Sequence, residues 1–135
     1  MAGYSTTPLL KKLGIRNGDR MVVHNEPEVY WDWLAPLPED ASVATRPAKQ
    51  AIDFIHLFVK KQSVFEKEFI KYKGFLKKDG MMWISWPKKS SKVPTDLDER
   101  VIRDFGLAHG LVDVKVCAVD EIWSGLKFMF RLKDR

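Results

Sequence analysis

The sequence predicts a three-layer α/β fold, with a mostly parallel sheet between helices and a C-terminal antiparallel hairpin. Three observations carry this expectation. Strand-like runs alternate with amphipathic helical ones from residue 19 onward, the pattern of parallel strands joined by helical crossovers. The run Ala51-Ile-Asp-Phe-Ile-His-Leu-Phe-Val59 is nearly continuous apolar, as a strand buried on both faces requires. From Leu111 the period changes to two, and a connection as short as Asp120 to Gly125 between two such strands calls for antiparallel pairing.

The elements follow in order. Thr7-Pro8-Leu-Leu-Lys-Lys-Leu-Gly14 reads as a short helix capped by Thr7, stopped by Gly14 and docked by Leu9, Leu10 and Leu13. Asn17-Gly18 turns the chain into a first strand, Arg20 to His24. A helical stretch spans Pro27 to Leu34, Pro36 and Pro38 end it, and Ala41 to Arg46 makes a short second strand. After the 51–59 strand, Ser63 and Glu66 form a capping-box pattern. The helix they open turns Phe65, Phe69, Tyr72 and Leu76 inward and runs on toward Gly80. Met81 to Trp86 supplies the next strand. Thr95 and Asp98 cap a helix with Leu97, Val101, Phe105 and Ala108 inward, ended by Gly110. In the tail, Asp113, Lys115 and Cys117 share one side of a strand, and Leu126, Phe128, Phe130 and Leu132 share one side of the next.

At 135 residues and 45% hydrophobic content the chain suits one domain, with 1–18 as an N-terminal helical extension and 19–132 as the α/β core. A lone cysteine, Cys117, excludes an internal disulfide and fits a reducing, cytoplasmic setting. No run approaches the ~20 apolar residues of a membrane span, so no membrane partner is expected. The net charge of +5 is unevenly spread: residues 60 to 92 hold ten lysines against three acids, leaving the remainder slightly negative. Such a field gathers anions; its bland counterpart is a solvated helix face.

The strand and helix order over about residues 19–132 resembles the topology of Rossmann-like methyltransferases that use S-adenosylmethionine. Lys78-Asp79-Gly80-Met81-Met82-Trp83 resembles their glycine turn into a late central strand. A second resemblance is to an uncharacterised bacterial family, a domain of unknown function. It rests on Gly3-Tyr4-Ser5, Thr7-Pro8-Leu9, Lys11 to Ile15, Trp86-Pro-Lys-Lys-Ser-Ser91, Thr95-Asp96-Leu97, Gly110 to Asp113, Lys115 to Asp120 and Trp123 to Leu126. It implies membership and no reaction.

Methyl transfer by the logic of dinucleotide folds needs a glycine turn after the first strand and an acid at the end of the second. Here the chain reads His24-Asn-Glu-Pro-Glu28 and Arg46 instead, so only Glu26 or Glu28 is left to meet a ribose, and no cofactor follows from these residues. The binding candidates are the strand ends that parallel pairing brings to one edge: His24 and Asn25, Lys60 and Lys61, then Trp86, Lys88, Lys89, Ser90 and Ser91. Lysines, hydroxyls and loop amides together satisfy phosphate or carboxylate oxygens. Asp120, Trp123 and Ser124 on the hairpin connection are candidates to cover the same edge. His56 and Trp83 read as packed core residues. Cys117 lacks an evident base or oxyanion site, which favours a structural thiol over a nucleophile. No catalytic or metal-ligating set is assigned. The expected function is a non-catalytic module binding an anionic small molecule or a regulatory partner at this edge. The alternatives are a divergent S-adenosylmethionine-dependent methyltransferase or other group transferase, and nucleic-acid binding through residues 60–92, which holds no arginine.

Overall fold

The computed structural model describes residues 8–135. The expected Thr7 cap and the Gly3-Tyr4-Ser5 match lie outside them. The chain runs α1 (Leu9–Leu13), β1 (Arg20–His24), α2 (Tyr30–Leu34), β2 (Ser42–Val43), β3 (Ile52–Phe58), α3 (Gln62–Lys73), β4 (Leu76–Pro87), α4 (Glu99–Ala108), β5 (Leu111–Ala118) and β6 (Trp123–Phe130). Short 3-10 turns occupy Lys89–Ser91 and Leu132–Asp134.

The six strands form one sheet in the order β2-β1-β3-β4-β6-β5. β2, β1, β3 and β4 pair in parallel, while β6 enters antiparallel between β4 and β5. Side chains alternate across β3: Ile55 and Leu57 join a core with Phe65 and Phe69 of α3 and Ile102 of α4, whereas Phe54 and Phe58 join one with Leu13, Tyr30 and Leu34. This alternation makes the three layers, since each sheet face must bury its apolar set against helices. Trp83 belongs to the second core and is fully buried; its indole N–H donates to the Leu13 carbonyl at 2.9 Å, tying α1 to β4. Gly14 closes α1 with a φ of 79°, the left-handed stop for which glycine is suited.

Several expectations change in detail. β2 is two residues long, shorter than 41–46. Ser63 does not cap α3: the helix starts at Gln62, whose amide donates to Asp96 Oδ1 at 2.7 Å from a distant loop. α3 ends at Lys73, and Leu76 starts β4 instead of extending the helix, so Lys78 to Trp83 is strand and not a turn. Gly80 sits there because an added Cβ would press within 3.0 Å of the Asp53 and Ile52 carbonyls of the neighbouring strand. On α4 the expected Thr95–Asp98 capping box does not form: Asp98 is itself the N-cap and accepts from the Val101 amide, while the Thr95 hydroxyl accepts from the Leu97 amide, and Ile102 and Gly106 are buried where Ala108 is exposed. A register shift between Asp113 and Lys115 breaks their shared side: Asp113 meets Arg103 of α4 at 3.0 Å while Lys115 reaches toward α1. β6 begins at Trp123, three residues earlier than expected, and Leu132 lies beyond it at 80% exposure.

Candidate functional site at the carboxyl edge of the sheet

Parallel pairing of β1, β3 and β4 delivers His24, Lys60 and Lys88 to the same edge, because co-directional strands end together. The segments there are laced to one another. Asn25, which leaves β1 with a left-handed φ of 60°, points Nδ2 at the Phe58 carbonyl at 3.4 Å. The Thr95 hydroxyl donates to the Lys60 carbonyl, and the Lys88 amide donates to the Ile122 carbonyl at 2.8 Å. Three separate loops therefore hold fixed positions over the strand ends.

His24 stands between β1 and α3. Its Nδ1 lies 3.3 Å from the Tyr72 hydroxyl, and its Nε2 lies 3.9 Å from Glu68 Oε2. That carboxylate oxygen is buried without a hydrogen bond, and the imidazole is its one ion-pair contact among the described residues. Burial and the neighbouring Glu68 raise the Tyr72 hydroxyl pKa, since both disfavour a phenolate.

The other candidates divide by exposure. Lys60, Lys61, Lys89 and Ser90 are exposed, and Lys88 is half-buried. The Ser91 hydroxyl is occupied locally, donating to the Lys88 carbonyl at 2.6 Å and accepting from the Val93 amide. Asp120 Oδ1 accepts the Ile122 and Trp123 amides at 2.9 and 2.7 Å, which fixes the β5–β6 turn. Trp86 is 6% exposed and packs in the α3/α4 core, so it offers no stacking surface; its alternation in β4 points it beneath the edge. Trp123 is 8% exposed and meets Phe58 edge-on at 5.0 Å. Ser124 is half-buried and lies opposite Trp86.

Two contacts went unnoticed in the sequence. Glu68 and Tyr72 stand four apart on α3, a spacing that places them on one helix face and was a legible signal. Glu26, one residue past the turn, accepts from Trp31 Nε1 at 3.1 Å, a contact that depends on how the 25–29 loop folds back. Among the described residues, no group of three or more His, Cys, Asp and Glu side chains is placed to hold a metal ion. Cys117 is half-buried, and burial raises its pKa against the opposing pull of Lys12 and Lys115, which disfavours the thiolate. No helix among the described residues is long and apolar enough to cross a membrane.

No family model and no curated protein matches the chain. Its fold is similar to that of solved methyltransferases. A SAM-dependent methyltransferase from Aquifex aeolicus aligns with a TM-score of 0.69 at 15% identity, over 91% of this chain and 88% of that one. The tRNA methyltransferase TrmK of B. subtilis aligns at 0.62 and 12%, covering 94% and 67%. A TehB-like SAM-dependent methyltransferase from Corynebacterium glutamicum aligns at 0.57 and 10%, covering 96% and 91%. The fold is accordingly the Rossmann-like, methyltransferase-like α/β class. These likenesses run against the expected non-catalytic module, since the solved structures that share the fold are methyltransferases.

Proposed function

We propose that this chain is a divergent S-adenosylmethionine-dependent methyltransferase, cytoplasmic and of the bacterial family marked by Trp86-Pro-Lys-Lys-Ser-Ser91, whose cofactor edge is built without glycine. The observation that carries the reading is the left-handed turn at Asn25, where β1 ends in a sheet of methyltransferase-like order. A residue with positive φ performs the turn for which the fold's logic calls on glycine, and asparagine is among the few other residues that tolerate it. Glu26 follows directly. Among the described residues its carboxylate accepts one hydrogen bond, from Trp31, and keeps acceptor capacity for a ribose diol. The residues present therefore fit the group at the rim: Asn25 and Glu26 would hold its nucleoside end, and the sulfonium would supply an electrophilic methyl when bound.

The chain's own contribution beyond that is orientation and charge. The lysines at 60, 61, 88 and 89 around the edge favour a substrate carrying negative charge. His24, its ring held between the Tyr72 hydroxyl and the Glu68 carboxylate, is the general-base candidate at the edge. Calorimetry with S-adenosylmethionine and with S-adenosylhomocysteine tests the reading. Saturable heat from either supports it, and none at millimolar ligand overturns it.

A further inference from the structure

Lys115 and Lys127 stand directly opposite each other across the β5–β6 hairpin. Like charges at such a cross-strand pair repel, and water screens the half-buried Lys127 less than an exposed lysine. The two side chains also converge on one place. Lys127 Nζ lies 3.7 Å from the position a Cβ would take on Gly14, and Lys115 Nζ reaches the Lys12 carbonyl at 3.4 Å. Lys12 and Arg16 flank that point on the α1 segment. Burial first, then the charges of Lys115 and Arg16, lower the Lys127 ammonium pKa, and the charges of Lys12 and Lys115 reach the Cys117 thiol.

Little on the protein compensates these four cations. Among the described residues, Asp19 is the one carboxylate in contact, 3.5 Å from Arg16 Nε and already accepting the Arg16 amide at 2.9 Å. Among the described residues, Lys12, Lys115 and Lys127 form no ion pair with a carboxylate. The seven residues that precede them contain no Asp or Glu to supply one. A lysine at the end of α1 gains something from the helix carbonyls, but one contact from Lys115 does not account for the other three charges.

We propose that Lys12, Arg16, Lys115 and Lys127 form a binding site for a phosphate or diphosphate group, on the α1 face of the hairpin and apart from the carboxyl edge. A carboxylate would leave most of the surplus charge uncompensated. A phosphate is near dianionic at neutral pH and accepts from several ammonium and guanidinium donors at once. The same chemistry is presented by a free phosphorylated small molecule and by a nucleic-acid backbone.

The test uses the full chain in two arms: inorganic pyrophosphate by calorimetry and thermal shift against sodium chloride of equal ionic strength, and a short single-stranded RNA by fluorescence anisotropy. Pyrophosphate is expected to raise Tm beyond the chloride control. Lys115→Gln with Lys127→Gln should weaken binding about tenfold or more, the scale of one lost charge-assisted hydrogen bond. Binding of RNA alone, lost in the same variant, assigns the site to a polynucleotide backbone. No binding in either arm, or equal binding by the double variant, overturns the site. Should that variant fail to fold, the Lys127 ammonium is titrated by NMR in the native protein: its pKa must move up when pyrophosphate is added, and an unmoved value overturns the proposal.

Discussion

The Tyr30 hydroxyl meets His56 Nδ1 at 2.9 Å, and the Ser85 hydroxyl meets Nε2 of the same ring at 2.7 Å. Both hydroxyls and the imidazole are buried, and the chain of contacts joins α2, β3 and β4 through the centre of one core. A neutral imidazole has one donor and one acceptor nitrogen, so the two hydroxyls satisfy it completely.

Charging that ring would therefore break the arrangement. Burial lowers the His56 pKa to about 3. The native protein then binds fewer protons than the unfolded chain, whose histidine titrates near ~6.5. Stability from this group is full above that value and is lost as pH falls through the window down to about 3. Over the whole window the expected loss is ~5 kcal/mol. Urea unfolding midpoints at pH 7, 5 and 4 check it. A midpoint that His56→Gln leaves with the same pH slope would sink the assignment.

Gly106 packs α4 directly onto Phe128 of β6. A Cβ added at Gly106 would overlap the Phe128 ring, which is fully buried and cannot swing away. Gly106→Ala would gain helix propensity of ~1 kcal/mol, yet forcing a methyl into a filled core costs about 1–3 kcal/mol and occasionally more. The overpacking is expected to win, giving a lower Tm. A variant as stable as the parent would mean that α4 and the sheet separate readily.

The cap of the same helix is a cleaner case. Asp98 Oδ1 accepts the Val101 amide at 2.9 Å, satisfying one of the free amides of the first turn. Asp98→Ala should cost ~1 kcal/mol, while Asp98→Ser, which keeps an acceptor, should cost little. Equal losses for the two, measured by denaturant unfolding, would contradict a capping role.

β1 and the left-handed stop at Gly14 were legible in the sequence, because each is decided by neighbours a few residues away, whereas the cap of α4 was placed one turn early, at Thr95 instead of Asp98. The antiparallel hairpin was legible from its period and its short connection. What could not be read was decided at long range. Asp96 displaces Ser63 as the cap of α3 by reaching 34 residues across the fold, and the bulge after Asp113 turns Lys115 from Arg103's side to that of α1. Trp86 is the instructive error at the site. Its place at the end of a strand made it a binding candidate, but alternation in β4 sends it into the α3/α4 core. The exposed lysines of the edge were found by composition, whereas Glu68 and Tyr72 needed the helix to be laid against His24.

The turn at Asn25 links stability to the proposed reaction. A side chain at a φ of 60° is tolerated best by asparagine and costs a β-branched residue ~1–2 kcal/mol. Asn25→Gly is thus expected to leave Tm nearly unchanged, and Asn25→Val to lower it. Glu26→Gln isolates the binding role, because the amide oxygen still accepts from Trp31 Nε1 while the negative charge is removed. The variant should melt with the parent and bind S-adenosylmethionine about tenfold more weakly, the loss expected when charge-assisted bonds to a diol become neutral ones. Unchanged affinity in Glu26→Gln, with a cofactor that does bind the parent, would move the ribose away from this turn. It would leave the carboxylate as the orienting partner of Trp31 alone.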